Sequence, residues 1–184
     1  MNTMIKKITS KSKPQSSIYL FNKFEEKEFG FFDKNVVEYI KHQYNSLGKK
    51  TIILPDYKNI TIIEFLINEK KEEYIYLEEC RKRGDKSQII LNENKVASTV
   101  LIDKTDMQEI VITYSEGMAL GNYQFIKYKT KPEINTLKSI ELKSNSVKTS
   151  EIKELNTLIE SVYLCRDLIN ETEKGLSFLT VSKT

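Results

Sequence analysis

Ile60-Thr61-Ile62-Ile63-Glu64-Phe65-Leu66-Ile67 carries six apolar side chains in eight positions. A strand with one face in water alternates apolar with polar. A run that is apolar almost throughout fits a strand covered on both faces, as in a sheet sandwiched between helices. Upstream, Thr51-Ile52-Ile53-Leu54 is β-branched and stops at Pro55, which has no amide hydrogen for a ladder. Ile18-Tyr19-Leu20-Phe21 reads as a short apolar strand. Downstream, Val96-Ala97-Ser98-Thr99-Val100-Leu101-Ile102-Asp103 reads as a buried strand, and Leu137 to Leu142 as one more.

Helical patterns fill the gaps. After Asp33, a suitable N-cap, the residues Val36, Val37, Ile40, Tyr44 and Leu47 share one helical face, and Gly48 is a suitable stop. A Lys/Glu-rich stretch with Tyr74, Tyr76, Leu77 and Cys80 is helical, with a break expected at Gly84-Asp85 and a further turn from Gln88 to Asn94. Thr105 is placed to cap a helix carrying Met107, Ile110, Val111, Tyr114 and Met118. Ser150 is placed to cap the last helix, whose apolar stripe runs through Ile152, Leu155, Leu158, Ile159, Val162, Cys165 and Ile169. That stripe reads as a core or docking face and gives Cys165 a packing role. Strands alternating with helices predict an α/β fold, a mixed sheet covered on both sides. The Ser/Lys-rich start, Lys129 to Glu133 and Lys143 to Ser150 read as linkers. No internal repeat is visible.

The length, 184 residues, fits one domain or one domain with short tails. A composition of 39% hydrophobic and 10% aromatic residues excludes a disordered chain, and six Gly with three Pro exclude a collagen-like one. No apolar run nears the roughly 20 residues that span a bilayer. The basic start lacks an apolar core, so no secretory signal is expected. The charge of +3, from 29 basic and 26 acidic residues, is too balanced to call for a nucleic-acid partner. Arg81, Arg83 and Arg166 are the only guanidinium groups available for base or phosphate forks. Cys80 and Cys165 have neither CxxC spacing nor a secretory context, so a cytoplasmic chain with reduced thiols is expected.

Catalytic parts are scarce. His42 is the single histidine, and it falls off the apolar face of its helix, as a solvated surface residue does. One histidine and two distant cysteines do not make a zinc set. GxxxxGK[ST] and GxGxxG are both absent. Gly117 and Gly121, four apart, suit close helix packing better than phosphate binding. The acidic residues sit in mixed runs such as Glu25-Glu26-Lys27-Glu28 and Glu69-Lys70-Lys71-Glu72-Glu73, which are usually solvated faces. No catalytic, cofactor or metal-binding residue is assigned.

Two stretches carry a family resemblance. The first is Glu116-Gly117-Met118-Ala119-Leu120-Gly121-Asn122-Tyr123-Gln124-Phe125-Ile126-Lys127-Tyr128. The second is Glu154-Leu155-Asn156 leading to Arg166-Asp167-Leu168-Ile169-Asn170-Glu171 and then Leu176-Ser177-Phe178-Leu179-Thr180. Together they resemble the N-terminal domain of bacterial leucyl (cytosol) aminopeptidases. That family has an EG-x-x-L-x-NYxF-x-KY helix end and a linking helix ending in R-x-L-x-NEP before an L-x-x-L-T segment. Thr172 stands where the family has Pro, and Glu173-Lys174-Gly175 are extra. The family's NTDAEGR-type motif does not occur, so no catalytic residue carries over to this chain.

The resemblance implies a macro-domain-like α/β domain over residues 1–148, with 149–184 as linking helix and entry to a catalytic domain that is absent here. It implies a non-catalytic assembly or regulatory role in a metallopeptidase that removes N-terminal residues from peptides. Two divalent metals, zinc or manganese, would sit only in the catalytic domain. Partners would be that domain and sister subunits of a homo-hexamer, with neither nucleic acid nor membrane. Tyr123 and Phe125 are expected to pack under the sheet. The alternative is a stand-alone macro-like module binding a ligand of the ADP-ribose type, although the segments after Ile67 and Asp103 lack the glycines that favour phosphate cradles. The apolar tail, with Leu176, Phe178, Leu179 and Val181, is expected to dock in extended form.

Overall fold

The computed structural model describes residues 3–8, 16–56 and 59–171. Six strands form one sheet: β1 (Met4–Lys7), β2 (Ser16–Phe21), β3 (Thr51–Asp56), β4 (Asn59–Phe65), β5 (Ser98–Asp103) and β6 (Ser139–Lys143). Their spatial order is β1-β6-β5-β2-β4-β3. All neighbours run parallel except β3, which pairs antiparallel with β4. The helices are α1 (Lys34–Asn45), α2 (Glu73–Glu93), α3 (Gln108–Gly121) and α4 (Thr149–Asn170), with a 3-10 turn at Glu26–Phe29. This is the mixed α/β architecture that the strand pattern predicts.

The apolar run 60–67 behaves as a doubly covered strand must. Ile60, Ile62 and Leu66 face a large core with α2, α3 and α4. Ile63 and Phe65 face a smaller core with α1 and the 3-10 turn. The smaller core is aromatic: Phe21, Phe24, Phe29, Tyr44 and Phe65 pair at centroid distances from 4.6 to 6.0 Å. Such pairs add about 0.5–1.5 kcal/mol each beyond burial. Pro55 is harmless on β3. Phe65 donates to Lys50 O, so the residues hydrogen-bonded to β4 alternate from Lys50, and Pro55 points its missing donor at the open edge.

Several local expectations need correction. The start of the chain is not only a linker. Met4–Lys7 is an edge strand parallel to β6, with Ile5 in the core. Its free edge is closed by α4: Ile5 N donates to Asn156 Oδ1 at 3.1 Å, and Asn156 Nδ2 donates to Ile5 O at 2.8 Å. One carboxamide thus takes the place of a neighbouring strand. Gly84 does not break α2, which runs unbroken for 21 residues. A Cβ on Gly84 would lie 2.1 Å from Tyr114 O, one on Gly117 2.0 Å from Arg81 O, and one on Gly121 1.9 Å from Asp85 Oδ1. Gly84 and Gly117 are where α2 and α3 touch backbone to backbone, and at Gly121 the close neighbour is the Asp85 side chain.

Helix starts also differ from expectation. Met107, not Thr105, precedes α3, and the Thr105 hydroxyl instead receives Met107 N at 3.0 Å and donates to Asp103 Oδ1 at 2.8 Å. Lys148, not Ser150, precedes α4, and the Glu151 carboxylate accepts Lys148 N at 2.6 Å. Gly48 does stop α1: its φ is +63°, and its N–H reaches Tyr44 O at 3.1 Å.

Candidate functional site

Among the described residues, no three His, Cys, Asp or Glu side chains come together in a way that could hold a metal ion. His42 is exposed in the last turn of α1. Cys80 is buried, and burial pushes its thiol up to about 11. Cys165, read from sequence as a packing residue, is exposed.

The buried charges are also committed. Glu64 is 1% exposed on β4. Its carboxylate pairs with Arg83, accepts Thr51 Oγ1 at 3.1 Å and accepts Ser87 Oγ at 3.2 Å. Ser87 Oγ in turn lies 2.5 Å from Tyr114 Oη. Arg83 also donates to Phe65 O and Lys50 O at 2.7 and 2.6 Å. Burial pushes the Glu64 carboxyl above its ordinary range, and the Arg83 guanidinium opposes that. Every group has a partner, so the cluster fastens β3, β4, α2 and α3 and offers no free acid or base.

The carboxyl ends of the parallel strands are where open α/β sheets usually present binding loops. Here Asp103 ties two such loops together. Its Oδ1 accepts Thr105 N and Oγ1, both at 2.8 Å, and Asp106 N at 3.2 Å; its Oδ2 accepts Ser144 Oγ at 2.6 Å and Ser146 Oγ at 2.8 Å. The expected linker after Lys143 is therefore a fixed turn.

Helix α4 leaves several apolar side chains in water. Ile152, Leu155, Ile159 and Tyr163 are buried, as a helix docked on one face requires. The predicted stripe is corrected here. Leu158 and Ile169 are exposed, Ile169 by 82%, and Tyr163 takes the core position. Leu164 and Leu168 are also exposed, at 60% and 41%. The last turn of α3 and the segment after it clamp this half of the helix. Tyr123 Oη donates to Asp167 Oδ1 at 2.7 Å, Arg166 donates to Leu120 O at 2.7 Å, and Tyr163 Oη donates to Ala119 O. Lys127 and Tyr128 both hold Glu171, at 2.7 and 2.5 Å. Tyr123 thus packs against Tyr163 and the margin of the large core, whereas Phe125, expected to pack under the sheet, lines a pocket beside α4. Between clamp and helix lies a pocket of about 440 Å³ whose apolar lining is Phe125, Ile126, Leu164 and Leu168.

The fold so defined, a mixed sheet with a long final helix, recurs in parts of larger solved enzymes. A mutant tomato leucine aminopeptidase superposes with a TM-score of 0.66 at 10% identity, over 88% of this chain and 36% of that one. The bottromycin maturation enzyme BotP gives 0.60 at 12% identity, over 89% of this chain and 34% of that one. BotP in complex with Mn gives 0.58 at 12% identity. This chain therefore spans about a third of each enzyme's length. No protein-family model matches the sequence, and no curated protein does.

Proposed function

We propose that this chain is the non-catalytic N-terminal domain of a leucyl aminopeptidase-like metallopeptidase, with an assembly or regulatory role. The observation that carries the reading is the superposition of 88% of the chain on about a third of an aminopeptidase. The two motif stretches support it, because the first, 116–128, contributes the clamp and the described part of the second, 154–170, lies in the helix it grips. In this reading residues 1–148 are the macro-like body, and 149–184 lead to a catalytic domain outside this sequence. That domain would hold the two divalent metals, zinc or manganese. The half-exposed α4 would bury its free apolar face against a neighbouring domain or subunit of a cytoplasmic hexamer, since a helix face of this kind favours contact over water.

The test is hydrolysis of a leucyl anilide by the purified chain with zinc or manganese added. The expected result is no turnover above buffer. Metal-dependent turnover that survives repurification and a contamination control would overturn the reading.

A further inference from the structure

Strands β2 and β5 lie side by side and run parallel, but the chain leaves them on opposite faces of the sheet. From β2 it passes to α1, which packs in the smaller core, and from β5 to α3, which packs in the larger. Such a divergence opens a crevice at the carboxyl ends of the two strands, the usual ligand position in open α/β sheets. Here it is a pocket of about 450 Å³, within the usual range of small-ligand sites. Its apolar lining is Ile67, Tyr76, Leu77, Met107 and Ile110. Tyr76 Oη is spent on Leu66 O at 2.7 Å, so this lining offers no free donor. The loops around it are fixed before any ligand arrives. Asn68 Oδ1 accepts Lys71 N at 2.8 Å, and Thr105 Oγ1 accepts Met107 N at 3.0 Å.

The unspent polar groups of the pocket are acceptors. Asn22 donates its Nδ2 to Thr105 O at 3.1 Å, which leaves Oδ1. Glu73 and Glu109, in the first turns of α2 and α3, line the same pocket. Both are exposed, and neither carboxylate pairs with a described residue. Lys71, two residues before Glu73, turns to Glu79 instead. Neither Lys nor Arg lines the pocket. The first turn of a helix favours a carboxylate on its own account. It does not account for two helices each bringing one to a single cavity with an apolar lining. We propose that this pocket binds an organic cation, a primary ammonium on a short apolar body. An ammonium is donor only, as a set of acceptors requires, whereas phosphate and carboxylate ligands would meet like charge. The inference does not rest on the aminopeptidase reading, and the pocket shares no residue with α4.

Titration of the full chain with phenethylammonium, followed by amide chemical shifts, tests this. Saturable shifts are expected at 67–77 and 107–110, with a Kd of about 1 mM or tighter. 2-Phenylethanol, of the same shape without the charge, is expected to bind at least tenfold more weakly, and 3-phenylpropionate not to bind. Glu73→Gln with Glu109→Gln, at exposed positions, is expected to weaken the amine at least tenfold and leave the circular dichroism unchanged. Glu38→Gln with Glu154→Gln removes the same charge from exposed positions on α1 and α4 and is expected to leave the Kd unchanged. Absence of saturable shifts in the unaltered chain would overturn the proposal. So would 2-phenylethanol binding as tightly as the amine. Equal weakening by both double variants would also overturn it, and would assign the binding to net charge. Saturable shifts of the same amides by inorganic phosphate would reverse the sign of the site and overturn it too.

Discussion

Gly117 and Gly30 are the same residue type under opposite constraints. At Gly117 a Cβ would sit 2.0 Å from the Arg81 carbonyl oxygen, so α2 and α3 would have to separate. Gly117→Ala is expected to destabilise by about 3 kcal/mol or more, because overpacking against backbone exceeds the roughly 1 kcal/mol helix gain. At Gly30 a Cβ would meet only Lys27 O at 3.6 Å, and φ is −62°. Gly30→Ala is expected to stabilise by about 0.5 kcal/mol through the unfolded chain. Urea unfolding of both variants checks the contrast. The thiols divide in the same way. A disulfide reagent is expected to modify Cys165 in the native protein, and Cys80 only after unfolding. Because burial raises the Cys80 thiol to about 11, its contribution to stability is intact below the ordinary thiol value. It is lost as pH rises through about 11. The sequence shows both cysteines and all six glycines, but not which neighbour approaches them. That is why Gly84 reads as a break and Cys165 as core.

Elements are tied together here by polar groups that periodicity does not reveal. Glu64 is the penultimate residue of the apolar strand β4 and would be an anomaly without Arg83, which arrives from α2. Arg83→Ala is expected to cost about 3–5 kcal/mol, since it strands a buried carboxylate. The loss should shrink as pH falls. Burial already raises the Glu64 carboxyl, so the folded state takes up a proton before the unfolded one, and stability falls as pH climbs through the raised value. Chemical unfolding of the variant at several pH values measures both effects, and a loss independent of pH would refute the second. Strands β4 and β5 were legible because both faces are apolar. Strand β1 was not, because four residues with two lysines carry no pattern, and its edge is satisfied by Asn156 from 151 positions away. The end of α4 misled for a different reason. Spacing shows that a stripe exists, but not where the neighbouring body stops covering it, and here cover ends near Tyr163.

At the scale of the molecule, one sheet divides two cores, and the division does not make two folding units. Strands β2 and β4 contribute to both: Ile18, Leu20, Ile60 and Ile62 to the larger, Phe21, Ile63 and Phe65 to the smaller. Loss of either core would strip one face of the same strands, exposing apolar area at roughly 25 cal/mol per Å². The first half of α4 belongs to this unit, because Ile152, Leu155 and Ile159 share a core with β1, β6, α2 and α3. Thermal unfolding is therefore expected to be a single transition. Far-ultraviolet circular dichroism, dominated by the helices, should coincide with tyrosine near-ultraviolet dichroism; the chain has ten tyrosines and no tryptophan to confuse the signal. Two separated transitions would mean that the helix is a detachable arm. The coincidence bears on function, since α4 could then transmit the position of the sheet to whatever its exposed half touches. A helix that melts independently could not.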